Sequence, residues 1–219
     1  MKILNLYACL GGNRYKWNEV KNDIEVTAVE LDPECARLYQ DRFPDDKVII
    51  ADAHQYLLDH YKEYDFIWSS PPCPTHSKAR GWNTKVETKY PDMKLYEEII
   101  LLETVVKGKD ARYKGKYVVE NVIPYYEPLI PGQKRHRHLY WTNFNLPNIL
   151  TTRKIQMCQG KNEIKRLCDF HDYNFRNYKG TQALNKIARN LVDYEAGKTI
   201  FKTVCGIVKK ENVKQTELF

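Results

Sequence analysis

Two residues far apart in the sequence carry groups suited to covalent chemistry. Cys73 stands between Pro72 and Pro74, just after the apolar run at positions 66–69. A lone cysteine is more often a small buried residue than a nucleophile, but flanking prolines at the end of a strand would hold its thiol rigidly in a crevice. Glu120 follows a second apolar run and is expected to project into the same crevice. Together the two residues would bring a thiol and a carboxyl group into one crevice.

Both residues also have other interpretations. Glu120 can be a solvated acid that caps its strand. His76, in the same segment as Cys73, can act as the base of a cysteine hydrolase. The residues around Cys73 leave these alternatives open.

A second set of residues indicates a nucleoside cofactor. The segment Leu4 to Gly12 ends an apolar run in a turn of small residues, where backbone can approach a ligand closely. Glu30 ends the next predicted strand, and an acid at this point of a doubly wound sheet can accept hydrogen bonds from both hydroxyls of a ribose. Asp52 follows the third strand and is placed to meet the edge of an adenine. The alternative is that Glu30 and Asp52 are solvated strand-end acids or helix caps.

A basic motif precedes the last predicted strand. Gln133 to Arg137 enters the run 138–141, and alternation along a strand would put Arg135 and Arg137 on one face. Two arginines side by side can hold a carboxylate or a phosphate. They can equally form a solvated edge that discourages aggregation.

The elements that must position these residues follow from the alternation of apolar runs and helical patterns. Strands are expected at 3–7, 25–30, 47–50, 66–69, 117–120 and 138–141. Helices are expected after Asp32-Pro33, over 94–107, and over 183–191 and 195–208. Prolines and charges between 70 and 92 predict an active-site loop, whereas 145–182 has no clear period. This order predicts an α/β fold with a doubly wound, mostly parallel sheet.

Composition sets the broad class. The 219 residues are 42% hydrophobic, enough for one good core, and their net charge of +7 favours a polyanionic partner. No apolar run approaches the roughly 20 residues that cross a bilayer. The six cysteines are spread over the chain, unlike a secreted disulfide framework. We therefore expect a cytoplasmic, monomeric protein with reduced thiols and no membrane contact.

Taken in order, the cofactor-type segments resemble those of the C5-cytosine methyltransferase family. Leu4 to Gly12 resembles the first cofactor motif of that family, Glu30 its ribose acid and Asp52 its adenine-side acid. Near the end of the chain, Asn190-Leu191-Val192 and the helix behind it are similar to the last motif, which returns to the cofactor.

The segments suited to catalysis resemble the same family. Pro72-Cys73 resembles its proline-cysteine nucleophile, and Glu120-Asn121-Val122 matches its Glu-Asn-Val. Gln133, Arg135 and Arg137 match its Gln-X-Arg-X-Arg. With the cofactor motifs, the resemblance extends over residues 3–142 and 183–205.

The sequence departs from the family pattern in several places. Asn5, Tyr7 and Cys9 stand where the family usually has acidic, Phe and Gly residues, Leu31 replaces an aromatic residue, and Pro74 replaces a common glutamine. Only about 40 residues separate the arginine motif from the last motif, where the family normally has a substantial target-recognition domain. So short an insert would suit an enzyme of a virus or a mobile element.

The resemblance implies a Rossmann-like, S-adenosylmethionine-dependent DNA (cytosine-5-)-methyltransferase that flips its target base out of the duplex. It implies a catalytic domain at 1–144, a reduced target-recognition insert at 145–182, and helices at 183–219 that return to the catalytic domain. Cys73 would add to carbon 6 of cytosine and Glu120 would donate a proton to ring nitrogen 3. Arg135 and Arg137 would orient the base.

The resemblance also implies ligand contacts. Residues expected to bind S-adenosylmethionine are Tyr7, Ala8, Cys9, Leu10, Gly11, Gly12, Glu30, Leu31, Asp52, Ala53, Pro71, Asn190 and Val192. Residues expected to contact DNA are Ser77, Arg80, Trp82 and Gln133. No metal ion is expected.

Three alternatives remain open. The substrate can be RNA or a free cytidine nucleotide instead of DNA, because the recognition insert is so short. The chain can be a nucleic-acid-binding protein that has lost catalysis, although pure binding needs neither a thiol nor a buried acid. Finally, Cys158, Cys168 and His171, with His136 or His138, can form a metal site, although their spacing is not a common zinc pattern.

Overall fold

The computed structural model describes residues 1–78, 90–103, 113–156, 160 and 162–207. The described residues form seven strands, β1 to β7: Lys2–Leu6, Glu25–Glu30, Lys47–Ile50, Phe66–Ser69, Lys116–Val122, Gln133–Arg135 and His138–Thr142. They also form six α-helices, α1 to α6: Pro33–Arg42, Ala53–His60, Lys94–Glu103, Glu163–His171, Leu184–Asn190 and Tyr194–Val204.

The strands form one sheet in the order β3-β2-β1-β4-β5-β7-β6. Pairing is parallel from β3 through β5, whereas β7 runs antiparallel to both β5 and β6. The chain builds outward from β1 to β3 and then returns to place β4 on the other side of β1. Ligands of α/β sheets bind in the crevice that opens at the carboxyl ends of strands where the order reverses in this way. The residues that follow β1 and β4 therefore face this crevice.

Helices cover both faces of the sheet. On one face, Leu57 of α2 and Ile99 of α3 pack in a cluster with Leu4 and Ile67. On the other face, Phe201 of α6 packs with neighbouring strand residues and with Trp17, whose ring stacks on it at a centroid distance of 5.2 Å. The expected doubly wound, mostly parallel sheet is confirmed.

Local sequence explains where the helices begin. Asp32 caps α1 by accepting hydrogen bonds from the backbone N–H groups of Glu34 and Cys35, and Pro33 occupies the first helical position. Asp52 caps α2 and Asp193 caps α6 in the same manner. Each acid follows a strand or a turn, so these caps also set the direction in which the chain leaves the sheet edge.

The structure corrects one strand assignment and extends another. Arg135 ends β6, and His136 and Arg137 form the turn between β6 and β7, where His136 has a φ of 51°. The expectation that Arg135 and Arg137 lie on one face of one strand is therefore wrong. β5 continues two residues past Glu120, to Val122, so this acid lies inside its strand.

The remaining expectations concern helices. α3 is described to Glu103, and the rest of the expected helix over 94–107 lies outside the described residues. The segment without a clear period contains α4 and a 3-10 turn at Phe175–Asn177. Among the residues that the structure describes, no helix has the length and apolar character needed to span a membrane.

Candidate active site

A cleft of about 610 Å³ opens at the carboxyl ends of β1 and β4. It is lined by most of the residues expected to bind a cofactor, namely Tyr7, Ala8, Cys9, Gly12, Glu30, Leu31, Asp52, Ala53, Pro71, Asn190 and Val192. Cys73 lines the same cleft, together with Ser70 and His76. Leu10 and Gly11 are buried beneath the turn and do not line it.

The turn after β1 has an unusual backbone. Tyr7 and Cys9 have φ angles of 54° and 47°, in the left-handed region that favours glycine. The strain at Cys9 is offset by a 2.7 Å hydrogen bond from its N–H to a carboxylate oxygen of Glu30. Backbone strain of this kind is concentrated at functional sites.

The two glycines of the turn serve close packing. A Cβ on Gly11, whose φ is 68°, would stand 2.3 Å from the Phe43 ring. A Cβ on Gly12 would stand 2.4 Å from the carbonyl oxygen of Val192. Gly12 thus lets the segment that ends α5 lie directly against the turn, where Asn190 and Val192 complete the cleft wall.

Glu30 is held by backbone donors. One carboxylate oxygen accepts from the Cys9 N–H and the other from the Asp32 N–H at 2.9 Å. Burial raises the pKa of Glu30, although these backbone hydrogen bonds act to lower it. Each carboxylate oxygen can accept a second hydrogen bond, so Glu30 retains acceptor capacity toward the cleft.

At the same end of the cleft, Leu31 and Asp52 lie at the surface. The Leu31 side chain is 68% exposed although it is apolar, which leaves a surface for a flat ring to cover. One carboxylate oxygen of Asp52 caps α2, as the helix-cap interpretation anticipates. The other lies 3.5 Å from the Lys94 ammonium group.

A buried acid that the sequence analysis missed supports the cleft wall. Glu98 of α3 is fully buried and accepts hydrogen bonds from the hydroxyls of Tyr7 at 2.6 Å and Ser69 at 2.5 Å. His54 of α2 lies 3.1 Å from the same oxygen as Tyr7, and its hydrogen bond to Glu98 raises the pKa of His54. The family usually has Phe at the position of Tyr7. The Tyr7 hydroxyl supplies a hydrogen-bond donor that Phe lacks, so a buried acid is accommodated here.

Cys73 begins a tight turn at the reactive end of the cleft. Its carbonyl oxygen accepts hydrogen bonds from the N–H groups of His76 and Ser77, both at 3.0 Å. Burial raises the pKa of the Cys73 thiol, and the charge of Glu120 acts in the same direction. The positive charges of Arg137 and Lys186 lower it. No hydrogen bond joins the Cys73 thiol to the His76 ring in the described part of the chain, so a cysteine-histidine hydrolase pair is not formed.

Glu120 is a buried acid that is hydrogen-bonded to Ser70 of the cleft wall. It is 7% exposed, and burial raises its pKa to about 7, although Ser70, Arg137 and Tyr140 act to lower it. The Ser70 hydroxyl donates to one carboxylate oxygen at 3.1 Å. The other oxygen makes no hydrogen bond of regular geometry among the described residues, although the Tyr140 hydroxyl is near enough to lower the pKa of Glu120. An acid of this pKa with an unpaired oxygen can donate a proton to a ligand.

The two arginines of the basic motif have different surroundings. Arg137 is exposed in the β6–β7 turn, and its charge acts on both Cys73 and Glu120. The guanidinium of Arg135 instead donates to the carbonyl oxygens of Lys134, Leu146 and Pro147 at 2.6 to 2.8 Å. Arg135 therefore anchors the chain that follows β7.

The residues expected to contact DNA are placed in several ways. Gln133 uses its side-chain amide within the protein, donating to Thr142 and Phe144 and accepting from the Leu146 N–H. Like Arg135, it braces the segment after β7. Ser77 forms a bridge with Pro124 and does not line the cleft. Arg80 and Trp82 lie outside the described residues.

The segment 163–182 contacts Asp32, which lines one end of the cleft. Tyr178 and Gln182 both donate to the same carboxylate oxygen of Asp32, at 2.8 and 2.7 Å. Although burial acts to raise the pKa of Asp32, these hydrogen bonds hold it below its usual value. Gln182 lines the cleft, as does Lys186, a cation that no motif had singled out.

No group of three or more potential metal-binding side chains occurs among the described residues. His171 is buried between the rings of Phe170 and Phe175, and burial lowers its pKa to about 3. Cys168 is half-buried near this cluster, whereas Cys158 lies outside the described residues. Cys168 and His171, two residues of the alternative metal site, thus have a packing role.

Comparisons with known proteins concern both sequence and structure. A family model described as C-5 cytosine-specific DNA methylase matches residues 1–108, and no curated protein matches the chain. A solved DNMT2 mutant from Spodoptera frugiperda shares 23% identity over 55% of this chain, with a TM-score of 0.36. This chain spans 35% of that protein's length.

Two further solved structures show lower identities. A hypothetical protein from Thermus thermophilus shares 17% identity, covering 64% of this chain and 73% of its own, with a TM-score of 0.39. A TehB-like SAM-dependent methyltransferase from Corynebacterium glutamicum shares 17% identity, covering 55% of this chain and 54% of its own, with a TM-score of 0.33.

The family match covers the turn after β1, Glu30, Asp52 and Cys73. Glu120, the arginine motif and Asn190-Leu191-Val192 lie beyond the matched residues. Over residues 1–108, just under half of its length, this chain is similar to the C-5 cytosine-specific DNA methylase family.

Proposed function

We propose that this protein transfers a methyl group from S-adenosylmethionine to carbon 5 of cytosine in DNA, through a covalent bond between Cys73 and carbon 6. One observation carries the proposal. Glu120, whose pKa is raised by burial, accepts a 3.1 Å hydrogen bond from Ser70, which lines the same cleft as Cys73, and its other oxygen makes no hydrogen bond of regular geometry among the described residues. A nucleophile and a proton-bearing acid at the same site are what addition to a cytosine ring requires.

The other end of the cleft fits the proposed cofactor. Glu30 keeps acceptor capacity for ribose hydroxyls, Leu31 offers an exposed apolar surface to an adenine, and the strained turn at Tyr7 and Cys9 exposes backbone to a ligand. Gly12 and Val192 bring the final motif against the turn. When bound, S-adenosylmethionine supplies an electrophilic methyl group on a sulfonium centre.

The residues of this chain then act in sequence. The Cys73 thiolate adds to carbon 6 of the base, and the displaced electron pair takes the proton of Glu120 at ring nitrogen 3. Carbon 5 becomes nucleophilic and accepts the methyl group. Loss of the carbon 5 proton to solvent restores the double bond and expels the Cys73 thiolate, and the proton on nitrogen 3 returns to Glu120. Arg137 balances charge near both residues, whereas Arg135 acts indirectly by anchoring the chain after β7.

DNA is the proposed substrate because the family match is to DNA methylases and the chain is basic. Lys186 and Arg137 place positive charge near Cys73, where the phosphates of a bound nucleotide would lie. RNA and a free cytidine nucleotide offer the same base to the same residues, and they are separate outcomes of the test.

The test is transfer of a labelled methyl group from S-adenosylmethionine to duplex DNA, single-stranded DNA, tRNA and dCMP in parallel. Cys73→Ala is the inactive variant. Cys205→Ala is its matched control, because Cys205 is also half-buried with a thiol pKa raised by burial but lies at the end of α6, outside the cleft. An oligonucleotide with 5-fluorocytosine tests the adduct, since fluorine cannot leave as a proton does.

We expect label in DNA with wild type and Cys205→Ala, and none with Cys73→Ala. Peptide mass spectrometry should find the trapped oligonucleotide on Cys73. Label only in tRNA or only in dCMP would replace the proposed substrate while retaining the chemistry. Cofactor binding without transfer to any of the four substrates would contradict the enzymatic proposal and favour a nucleic-acid-binding protein.

A further inference from the structure

His76 lies in the reactive end of the cleft without a role in the chemistry described above. Its side chain is 1% exposed, yet its ring forms part of the wall that Cys73 also lines. Its backbone N–H closes the turn at the Cys73 carbonyl. The ring makes no hydrogen bond with the thiol among the described residues, so a different function must account for it.

A chain of hydrogen bonds leads to one nitrogen of this ring. The Leu129 N–H donates to the Tyr96 hydroxyl at 3.3 Å, and the Tyr96 hydroxyl donates to the Tyr126 hydroxyl at 3.2 Å. The Tyr126 oxygen lies 2.6 Å from Nδ1 of His76. Because the Tyr126 oxygen accepts from Tyr96, the proton of the Tyr126 hydroxyl is available for Nδ1. We assign Nδ1 as the acceptor of this hydrogen bond, which puts the ring proton on Nε2.

The second ring nitrogen is buried without a partner. Nε2 of His76 has no hydrogen-bond partner among the described residues. A buried N–H group without an acceptor is costly, and such groups in proteins usually have one. Burial lowers the pKa of His76 and so favours the neutral ring, although the charge of Asp92 and a contact with the Asp92 backbone, which falls short of hydrogen-bond geometry, act to raise this pKa. The cleft wall beside Cys73 thus carries a neutral donor.

We propose that His76 binds the target nucleotide, with Nε2–H donating a hydrogen bond to an acceptor oxygen of the nucleotide held at Cys73. Tyr126 and Tyr96 fix the tautomer that makes this possible. The inference rests on the proposed function. The position of His76 at the Cys73 end of the cleft, away from Glu30 and Leu31, favours the nucleotide over the cofactor. A base carbonyl and a phosphate oxygen offer the same acceptor chemistry.

The test measures binding and turnover separately. Fluorescence anisotropy gives the Kd for a single-stranded oligonucleotide that contains one cytosine, and calorimetry gives the Kd for S-adenosylmethionine. The variants are His76→Ala, His76→Gln, which retains an N–H donor, and Tyr126→Phe, which removes the hydroxyl that fixes the tautomer. Tyr125→Phe is the matched control, because this neighbouring tyrosine is 50% exposed.

We expect His76→Ala to weaken oligonucleotide binding about tenfold and His76→Gln to restore most of the loss. Tyr126→Phe should weaken it about threefold. Tyr125→Phe should have no effect, and the Kd for S-adenosylmethionine should be the same in all variants. If a methylphosphonate at the target phosphate abolishes the difference between wild type and His76→Ala, the acceptor is the phosphate. If the difference persists, the acceptor is the base.

Two results would overturn this inference. The first is an unchanged oligonucleotide Kd in a folded His76→Ala variant. The second is an equal loss of oligonucleotide affinity, cofactor affinity and Tm that His76→Gln does not restore, since His76 would then only hold the neighbouring Asp92 segment. Failure of the proposed function is distinct, because it would appear as bound oligonucleotide and bound cofactor without methyl transfer in wild type.

Discussion

The hydroxyl of Tyr7 lies 2.6 Å from a carboxylate oxygen of Glu98, a residue 91 positions further along the chain. The other oxygen of Glu98 accepts from Ser69, the last residue of β4. Tyr7 follows β1 and lines the cleft, whereas Ser69 leads into the segment that carries Cys73. One buried carboxylate thus connects the two strand ends at the reversal point of the sheet.

Tyr7→Phe should therefore destabilise the protein while keeping the ring in the cleft wall. Loss of a hydrogen bond to a buried carboxylate costs about 1.5 to 3 kcal/mol of unfolding free energy. Tyr64→Phe is the control, because among the described residues the Tyr64 hydroxyl bonds only the Tyr56 hydroxyl, at 3.1 Å. This substitution should cost less than about 1 kcal/mol. Urea unfolding checks both values. A smaller loss for Tyr7→Phe than for Tyr64→Phe would contradict the importance of Glu98.

Glu120→Gln should increase stability at alkaline pH. The folded-state pKa of Glu120 is raised, so the folded protein holds this proton more tightly than the unfolded chain. Its stability is therefore highest below the unfolded value of 4.5 and falls as pH rises to about 7. That interval corresponds to about 3 kcal/mol at most. Denaturation should show that the unfolding free energy of Glu120→Gln rises relative to that of wild type between pH 5 and pH 8. Equal differences at both pH values would argue against a raised pKa of Glu120.

Glu120→Gln should also lower kcat, by about 10² to 10⁴-fold, because an amide cannot transfer a proton to the base. In wild type, kcat should fall as pH rises above about 7, where Glu120 loses the proton it must donate. Single-turnover methyl transfer across pH 6 to 9 measures this. A wild-type profile that stays flat over this range would assign the proton to another group.

Arg137→Ala should mainly lower activity, whereas Arg135→Ala should mainly lower stability. Arg137 is exposed, so its loss should change unfolding free energy by less than about 0.5 kcal/mol while lowering kcat about tenfold or more. Arg135 donates to three carbonyl oxygens, and its loss should cost about 2 kcal/mol or more. Thermal unfolding and kcat measured on both variants separate the two roles. A stable but inactive Arg135→Ala variant would instead show that Arg135 acts in the reaction and not as an anchor.

Gly12→Ala should weaken cofactor binding about tenfold. The new methyl group would stand 2.4 Å from the Val192 carbonyl and 2.6 Å from Leu191, so the segment after α5 must move away from the turn. Gly132→Ala is the control, since a Cβ there would stand 3.1 Å from its nearest neighbour, the Trp141 ring. Calorimetry with S-adenosylmethionine reports the affinities. Equal affinities for wild type and Gly12→Ala would show that this contact does not shape the cofactor site.

The sequence alone predicts the sheet and most of the residues that line the cleft. Buried parallel strands are short apolar runs, and a cap followed by proline begins α1, so these elements are encoded locally. Residues that follow β1, β2, β3 and β4 meet at one edge because parallel strands share their direction. This is why Tyr7, Glu30, Asp52 and Cys73 could be grouped before the structure was known.

Contacts that depend on turns and distant partners could not be predicted in this way. Whether Arg137 continues a strand or turns depends on the left-handed conformation of His136, which leaves no periodic signal. Glu98 lies on the buried face of α3, and its role follows from Tyr7 and Ser69, which reach it from two other elements. Lys186 lines the cleft only because α5 packs beside the turn.

The Asp32 carboxylate accepts hydrogen bonds from Tyr178 and Gln182, and the nearby Glu30 lines the cleft. Leu10 and Leu38 share one apolar cluster with Leu167 and Phe175 of the short insert. The insert is therefore not an interchangeable module. Replacing it with a longer segment would uncover the apolar side of α1 and remove two hydrogen-bond donors of Asp32. We therefore expect a chimera of this kind to need Tyr178 and Gln182 to keep Asp32 in place.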